Sequence, residues 1–281
     1  MRQDRVNSTA SALRSDAGVR IMRQPCMMTS VAPGSGSPSP SSQGRVVLVT
    51  GGSRGIGQAI CLVFAQAHWH VAVHCRERAG EAEQTAALVR AAGGQATVCR
   101  ADIRDADAVD AMIATVVSRW DRLDVLVCNA GLASGGLLLR LSADDWTRTI
   151  ETNLTGTFHC VRAAGRRMVE QQDGTIIVVG SYAGSQGRTG QAAYAASKAG
   201  LLGLVRSAAK EWGPHNVRVN MVFPGWQATE LSQHARPSPN DLRDHALGRF
   251  ADLGEVARMV YHLACLKDVS GQVWNLDSRI F

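Results

Sequence analysis

The sequence predicts an α/β fold in which one doubly wound parallel sheet of about seven strands carries helices on both faces. Short apolar runs alternate with helical patterns along residues 46–276, and the first run leads directly into a glycine-rich turn at 51–57. Strands that alternate with helices in this way are typical of parallel sheets. The 281 residues, 45% of them hydrophobic, suffice for a single domain with a sizeable core.

Each short apolar run bounded by turn residues predicts a buried strand, and each longer apolar period predicts a helix. We expect strands at 46–50, 70–74, 97–99, 124–129, 175–180, 217–222 and 272–276. We expect helices at 56–67, 81–92, 105–120, 142–171, 185–212 and 253–265, with Asp105 and Ser142 as N-caps. The segments 132–141 and 226–249 predict loops, and the second, polar and Pro-containing, is typical of a mobile lid.

Residues 1–43 predict a disordered N-terminal tail, and residues 44–281 form the predicted folded domain. The tail is rich in Ser, Pro and Gly from residue 31 onward, and its earlier part lacks an apolar period. One interpretation is a transit peptide, because the tail is rich in Arg and Ser and poor in acids. We favour a dispensable tail or an over-long start, with translation beginning at Met22, Met27 or Met28, because transit patterns are easily mimicked.

Composition argues against several functional classes. No apolar run approaches the roughly 20 residues of a membrane span, so no membrane association is expected. Nucleic-acid binding is not expected either, because half of the +6 net charge lies in the tail and no basic stripe has interleaved aromatic residues. The seven cysteines are scattered without a Cys-x-x-Cys pair, which indicates reduced thiols in a cytoplasmic protein and no metal site.

The turn after the first predicted strand has the form of a phosphate cradle. Gly51, Gly55 and Gly57 follow the strand at 46–50 and precede a helix. At such a turn, backbone N–H groups and the positive end of the helix dipole face an anion. The strand–turn–helix context therefore predicts a dinucleotide site of the Rossmann type.

Two arginines favour NADP(H) over NAD(H) as the cofactor. An acidic residue near the end of the second strand usually holds the ribose hydroxyls of NAD, but no Asp or Glu stands at 74–76. Arg76 follows that strand, and Arg54 lies in the glycine turn, so both could contact a 2′-phosphate. The alternative is that both are ordinary surface arginines in an Arg-rich chain.

A hydroxyl, a phenol and an ammonium group stand at a spacing that suits proton transfer to a carbonyl. Ser181 follows an apolar strand, and Tyr194 and Lys198 are four residues apart, on one face of a predicted helix. One ammonium at about 4 Å could lower the phenol pKa by about three units, worth roughly 4 kcal/mol at an effective dielectric near 20, with desolvation opposing part of the gain. The alternative is an ordinary helix with Tyr194 and Lys198 on its surface. The small residues around this pair argue against it, because they let a helix approach a sheet or a cofactor closely.

With these elements placed, the chain resembles the short-chain dehydrogenase/reductase family over residues 45–277. The resemblance rests on the glycine turn, Asn129-Ala130-Gly131, Asn153, Ser181, the Tyr194–Lys198 pair and Pro224-Gly225. Within the family the chain looks most like the 3-oxoacyl-acyl-carrier-protein reductases. It departs from the family's pattern at residues 275–281, where Asp-Gly-Gly is common, and at Gly180, where many members have Ser.

The resemblance implies a role for each matching residue. Tyr194 would be the general acid, Ser181 would bind the carbonyl oxygen, Lys198 would lower the Tyr194 pKa and hold the ribose, and Asn153 would bind a water for proton resupply. The predicted catalytic residues are therefore Asn153, Ser181, Tyr194 and Lys198. The predicted cofactor contacts are Gly51, Ser53, Arg54, Gly55, Ile56, Gly57, Arg76, Asp102, Ile103, Asn129, Ala130, Gly131, Tyr194, Lys198, Pro224, Gly225 and Thr229.

The resemblance also implies a reaction and partners. The expected activity is NADPH-dependent reduction of a ketone, with a 3-oxoacyl thioester as substrate and an acyl carrier protein as a candidate partner. The helices at 142–171 and 185–212 would form a dimer interface within a homotetramer. Arg166, Arg167 and Lys210 would then dock the acidic carrier, unless they are simply a solvated face. The alternatives are an alcohol, sugar or steroid dehydrogenase working oxidatively, and a cofactor-sensing protein without turnover.

Overall fold

The computed structural model describes residues 44–133, 135–229 and 242–280. Within them, seven strands form one sheet in which every neighbouring pair is parallel. The strands are β1 (Val46–Val49), β2 (His70–Cys75), β3 (Gln95–Arg100), β4 (Val125–Cys128), β5 (Gly174–Val179), β6 (Val217–Phe223) and β7 (Val273–Asn275). The fold class and all seven predicted strands are confirmed.

In the described residues, eight α-helices connect these strands. They are α1 (Gly55–Gln66), α2 (Ala79–Ala91), α3 (Ala106–Trp120), α4 (Ala143–Ile150), α5 (Gly156–Gln171), α6 (Ala183–Gln186), α7 (Ala192–Trp212) and α8 (Leu253–Cys265). Both predicted N-caps are confirmed, because Asp105 accepts the N–H groups of Asp107 and Ala108, and Ser142 accepts that of Asp145. Each cap satisfies backbone donors that the first helical turn would leave without a partner.

The strand order β3-β2-β1-β4-β5-β6-β7 determines where a ligand can bind. The chain builds outward from β1 in one direction and then returns to build outward from β4 in the other. The connections on the two sides therefore diverge between β1 and β4, which opens a crevice at the carboxyl ends of these strands. The glycine turn at 51–57 follows β1 directly, so it lies at this crevice.

The core lies on both faces of the sheet. On one face, Leu126 of β4 and Ile176 of β5 pack with buried residues of α3, α5 and α7. On the other face, Val49 and Val127 pack with buried residues of α1, α2 and α8. Because both faces are covered, the strands β1 and β4 are buried along their whole length, which explains their continuous apolar runs.

Both long helices predicted from the sequence are interrupted. The helix expected at 142–171 contains a π-helical turn, Glu151–Thr155, between α4 and α5. The helix expected at 185–212 is wrong at its start, because α6 and α7 are separate. Gly187 and Gly190 have positive φ angles of 71° and 76°, a conformation that ends a right-handed helix.

The two predicted loops are only partly described. In 132–141, a 3-10 turn, Leu138–Arg140, interrupts the loop, and Gly136 pairs with Gln191 in an isolated bridge. Trp226, the first residue of 226–249, packs against Phe250, the residue that follows this segment, with ring centroids 5.0 Å apart. Half of the predicted lid, 230–241, lies outside the described residues, as does the predicted tail at 1–43.

Six cysteines lie in the described part of the chain, and all are free thiols. Burial raises the pKa of five of them, including Cys61, Cys128 and Cys160, because the thiolate is costly away from water. Among the residues that the structure describes, no group of His, Cys, Asp and Glu side chains could hold a metal ion. No helix within them is long and apolar enough to cross a membrane.

Candidate active site

Two adjoining cavities lie at the carboxyl edge of the sheet. The larger, about 400 Å³, runs along the glycine turn, and the smaller, about 320 Å³, lies beyond the ends of β5 and β6. Both are lined by Ile56, Asn129, Gly131, Leu132 and Thr229, so a single elongated ligand could extend through both.

The glycine turn depends on residues without a side chain, both for its backbone angles and for its tight packing. Gly51 and Gly55 have positive φ angles of 63° and 55°. A Cβ atom on Gly57 would lie 2.2 Å from the carbonyl oxygen of Gly51, which no side chain could tolerate. The turn therefore folds tightly and brings the N-terminus of α1 to the cavity, as a phosphate cradle requires.

Thr50 and Asn129 fix this turn to the end of β4. Thr50 Oγ1 accepts the backbone N–H groups of Asn129 (2.9 Å) and Ala130 (3.0 Å) and donates to the carbonyl of Val127. The Asn129 amide donates in turn to the carbonyls of Thr50 and Gly51, both at 3.0 Å. Asn129 and Ala130 thus line the cavity, where their contact with a cofactor stays a prediction, and they also hold its shape.

His74, which the sequence analysis did not single out, holds the other side of the turn. Its Nδ1 accepts the Gly51 N–H at 3.1 Å, so the ring proton must lie on Nε2, which donates to the carbonyl of Ala101 at 3.0 Å. The side chain is 2% exposed, and burial lowers its pKa, so the neutral form is favoured. The only available signal was a polar ring inside an apolar strand.

Five predicted contacts line the outer end of the larger cavity: Ser53, Arg54, Arg76, Asp102 and Ile103. Arg76, predicted to contact a 2′-phosphate, lies there and forms an ion pair with Glu77 at 2.8 Å. Arg104 binds the Asp102 carboxylate through its Nε and Nη2 atoms, and this hydrogen bonding lowers the Asp102 pKa. The carboxylates of Glu77 and Asp102 are therefore each already paired with an arginine.

Ser181, Tyr194 and Lys198 meet in the smaller cavity. Ser181 follows β5, and Tyr194 and Lys198 project from one face of α7, as their spacing predicts. Ser181 forms a hydrogen bond with the Tyr194 phenol. Lys198 Nζ lies 5.8 Å from the centroid of the Tyr194 ring. A hydroxyl, a phenol and a cation thus surround one small space.

The electrostatics of this trio differ from the sequence-based expectation. Burial raises the pKa of the Tyr194 phenol, and the Ser181 hydrogen bond offsets this only in part. The phenol pKa is therefore raised overall, and the net lowering expected from the sequence is not found in the structure as it stands. Lys198 is itself buried, its Nζ donates to the carbonyl of Val179 at 2.7 Å, and burial lowers its pKa to about 8.

Asn153 lies in the π-helical turn, and the hydrogen bonds of its side chain explain why an Asn stands in the middle of a helical region. Asn153 is fully buried, and its Oδ1 accepts the Leu132 N–H at 2.7 Å. Its Nδ2 donates to the carbonyl of Leu132 (2.9 Å) and to Ser197 Oγ (3.1 Å). Asn153 therefore connects the wall of the cavity to α7, one residue before Lys198.

The remaining predicted contacts line the cavities from the segment that follows β6. Pro224, Gly225 and Thr229 follow β6, and the Thr229 methyl lies 3.1 Å from the place where a Gly55 Cβ would stand. Gln227, another residue that the sequence analysis missed, donates to the carbonyls of Pro224 and Ala251 and fixes this segment.

Both departures from the family pattern have a structural basis. A Cβ atom on Gly180 would lie 2.8 Å from Phe223 and 2.9 Å from Met221, so the neighbouring strand leaves no room for Ser. In the C-terminal segment, the Asp277 carboxylate reaches to 2.7 Å from the Cβ position of Gly225, and Arg279 enters the smaller cavity.

A phosphate cradle that adjoins a Ser, Tyr and Lys trio defines a nucleotide-dependent oxidoreductase of carbonyl and alcohol groups. The family profile described as short chain dehydrogenase matches residues 45–240. The chain belongs to this family, and it is an NAD(P)-dependent oxidoreductase.

Sequence relatives cover nearly all of the folded domain. A 3-oxoacyl-[acyl-carrier-protein] reductase of Synechocystis sp. is 39% identical over 236 residues, 83% of this chain and 95% of the relative. An enzyme of the same name from Staphylococcus aureus is 37% identical over 241 residues, 84% of this chain and 98% of the relative.

Solved structures show the same fold. A putative short-chain alcohol dehydrogenase from Sinorhizobium meliloti has a TM-score of 0.79 at 32% identity, covering 84% of this chain and 96% of the other. A variant of actinorhodin polyketide ketoreductase with NADPH has a TM-score of 0.78 at 30% identity, covering 85% and 97%.

The hydrogen bonds of His74 predict its effect on cofactor binding. His74→Leu leaves the Gly51 N–H without its acceptor, so we expect cofactor affinity to fall about tenfold, since an unsatisfied buried group costs about 1–3 kcal/mol. His74→Asn offers both an acceptor and a donor, so it should keep part of the cofactor affinity that His74→Leu loses. Fluorescence titration with NADPH and NADH measures this, with the exposed His262→Leu as control. Unchanged affinity in His74→Leu would remove the positioning role.

The lowered pKa of Lys198 predicts a pH dependence of stability. Between about pH 8 and 10.5, the unfolded chain keeps this proton and the folded chain does not, so this group alone makes unfolding free energy rise with pH. Over this pH range the gain in unfolding free energy from Lys198 is about 3 kcal/mol, at 1.36 kcal/mol per pKa unit. The buried thiols act in the opposite direction at alkaline pH, because their pKa values are raised.

The difference between wild type and Lys198→Met isolates this effect. Below about pH 8, Lys198→Met lacks the buried charge that the wild type carries. Above that pH, we expect the unfolding free energy of Lys198→Met to decline steadily relative to that of the wild type. Urea unfolding at a series of pH values measures both proteins. A difference that does not change with pH would show that Lys198 keeps its ordinary pKa.

Proposed function

We propose that this enzyme reduces a ketone with NADPH, and that its substrate is a 3-oxoacyl thioester. The observation that carries the proposal is the meeting of Ser181, Tyr194 and Lys198 in a cavity that adjoins the phosphate cradle. The names of the Synechocystis and Staphylococcus relatives support the substrate class.

The two cavities suit a nicotinamide dinucleotide, which would supply the hydride when bound. The cradle at Gly51–Gly57 offers backbone N–H groups to phosphates, and a Cβ at Gly57 would fill it. Arg54 and Arg76 would hold the adenosine end, and Asn129, Gly131, Lys198 and Thr229 the end near the trio.

Tyr194 then donates the proton to the carbonyl oxygen. Because burial raises its pKa, the phenol is fully protonated at neutral pH and available as an acid. The Ser181 hydroxyl, which already bonds to the phenol, can orient the carbonyl oxygen beside it. The same burial makes the tyrosinate costly, so a compensating charge is needed.

Lys198 supplies that charge as the proton leaves. Its Nζ lies 5.8 Å from the centroid of the Tyr194 ring, and a cation at about that distance from a unit negative charge stabilises the charge by about 3 kcal/mol at an effective dielectric near 20. The Val179 carbonyl holds the ammonium group at that position. Proton resupply through Lys198 and a water at Asn153 stays a prediction, in which Asn153 also positions the Gly131–Leu132 wall.

NADP(H) is the preferred cofactor in this proposal. Arg54, Arg76 and Arg78 line the outer end of the larger cavity together with two acids, Glu77 and Asp102. This excess of positive charge favours the additional phosphate of NADP(H). The actinorhodin ketoreductase structure was solved with NADPH, which is consistent with this preference.

The partner predictions have unequal support. Of the three basic residues proposed to dock an acyl carrier protein, Arg166 pairs with Asp110 at 3.7 Å and Arg167 pairs with Glu170 at 3.7 Å. These acids reduce the positive charge available to a carrier, so the simple thioester is the better supported part of the proposal. A homotetramer and a cytoplasmic location stay predictions.

An oxidative alcohol dehydrogenase is the second candidate, since the Sinorhizobium relative is described as an alcohol dehydrogenase. Reduction and oxidation use the same trio, so initial rates distinguish them. The purified enzyme should oxidise NADPH with a panel of 3-oxoacyl thioesters faster than it reduces NADP with the matching alcohols. The reverse order at neutral pH would favour the dehydrogenase.

Replacement of the acid tests the mechanism. Tyr194→Phe removes the proton donor and little else, so we expect kcat to fall by about 10²- to 10⁴-fold while NADPH affinity stays nearly constant. Steady-state kinetics and NADPH titration measure the two effects, and Tyr261→Phe in α8 serves as the control. Retention of more than about a tenth of the activity would exclude Tyr194 as the acid.

Replacement of Arg76 tests the cofactor preference. Because its side chain is 39% exposed and paired with Glu77, we expect Arg76→Met to weaken NADPH only about tenfold and to leave NADH unchanged. Arg76→Asp should shift the NADPH/NADH ratio of kcat/KM further, because it adds repulsion. Arg90→Met, an exposed arginine of α2, is the control. Equal weakening of both cofactors would contradict the assignment.

A further inference from the structure

The segment after β7 forms part of the wall of the smaller cavity. Arg279 pairs with His245 in an isolated antiparallel bridge, and Ser278 accepts the N–H groups of Ala246 (2.9 Å) and Leu247 (3.2 Å). These contacts hold two distant parts of the sequence together, and both His245 and Arg279 line the cavity that contains the trio.

The Arg279 guanidinium is fixed in place before any ligand binds. Its Nε donates to Asp277 Oδ2 at 2.7 Å, and its Nη2 donates to the same oxygen. Its guanidinium carbon lies 4.1 Å from the centroid of the Tyr182 ring, next in sequence to Ser181. The Asp277 side chain is fully buried, and that of Arg279 is only 17% exposed. A side chain held on two sides loses little entropy on binding.

Two nitrogen atoms at this wall lack partners within the described residues. Arg279 Nη1 makes no hydrogen bond there, since the donors that this residue uses are its main-chain N, Nε and Nη2. His245 is 6% exposed, and its Nδ1 is buried without a partner in the described chain. Buried polar groups are normally hydrogen-bonded, so the buried His245 Nδ1 indicates a group supplied by the ligand, and the unused Arg279 Nη1 at the same wall is a donor that such a group could accept from.

The charges around Arg279 indicate what that group is. Asp277 balances the guanidinium charge. Of the other charged residues that line this cavity, Asp244 offsets Arg188, and Lys198 is held at the Val179 carbonyl on the side of the trio. An anionic group would therefore lose its hydration without gaining a net attraction. Trp226 and Phe250, with ring centroids 5.0 Å apart, make the adjoining wall aromatic. A neutral oxygen acceptor fits this setting better than a carboxylate.

We propose that Arg279 is a specificity-determining residue that binds a second, uncharged carbonyl oxygen of the substrate, while the ketone binds at Ser181 and Tyr194. This inference rests on the proposed function and deepens it, because a 3-oxoacyl thioester carries its second carbonyl two carbon atoms from the ketone. Simple ketones lack the acceptor and gain nothing from Arg279.

The experiment compares two neutral probes that differ in one carbonyl: a 3-oxobutanoate ethyl ester and the matched ether ketone without the ester carbonyl. Arg279→Met alone would leave Asp277 buried and unpaired, so the test variant is Asp277→Asn/Arg279→Met. Arg279→Lys keeps a donor and a charge, and Arg243→Met, an exposed arginine of the adjacent segment, is the control. Thermal melting confirms that each variant is folded.

We expect the double variant to lose about 10- to 100-fold in kcat/KM for the ester, mainly through KM, as for loss of a hydrogen bond to a charged group. The ether ketone should change less than about twofold. Arg279→Lys should recover part of the ester activity, and Arg243→Met should behave as wild type. Comparing each variant with wild type on the same probe removes the difference in intrinsic reactivity of the two ketones.

Three results would overturn the assignment. Equal losses for ester and ether ketone would mean that Arg279 only holds the wall together. Free 3-oxobutanoate losing more than its ester would mean that the site binds an anion. A wild type that reduces ether ketones but no 3-oxo compound would remove the proposed substrate itself, an outcome distinct from the first two.

Discussion

One hydroxyl group joins the two strands between which the sheet order reverses, and the site depends on it. Thr50 Oγ1 ties the end of β1 to the residues after β4 through two N–H groups. Two residues after Ala130, Leu132 hydrogen-bonds to Asn153, which hydrogen-bonds in turn to Ser197 in α7, next to Lys198. The phosphate cradle and the proton-transfer residues, which lie far apart in the sequence, are thereby kept at one fixed separation.

The chemistry of the site follows from taking polar groups out of water. Burial disfavours the charged forms of both Tyr194 and Lys198, so a proton remains on the phenol and the ammonium group is held at some cost. That cost is sustained because the surrounding sheet, buried on both faces, is stable enough to carry it. The same low dielectric strengthens the attraction that Lys198 exerts once the phenol loses its proton.

Local patterns were sufficient for much of this structure. Apolar runs located all seven strands, and the cap of α3 was readable because Asp105 acts on its own helix. The break at Gly187 and Gly190 was missed, since an apolar period does not reveal positive φ angles. His74 and the partner of Lys198 could not be found either, because each is defined by a backbone group that only the folded sheet brings near.

The free thiols have a consequence for following the motions of this protein. Cys61 lies in the core on the α1 side of the sheet, whereas Cys128 and Cys160 lie in the core on the opposite side. None can react with an alkylating reagent while it is buried and protonated, since the thiolate is the reactive species. Each modification must therefore wait for its own layer to open. Mass spectrometry of the labelled peptides would time the opening of the two helical layers separately, with reporters already in the native chain.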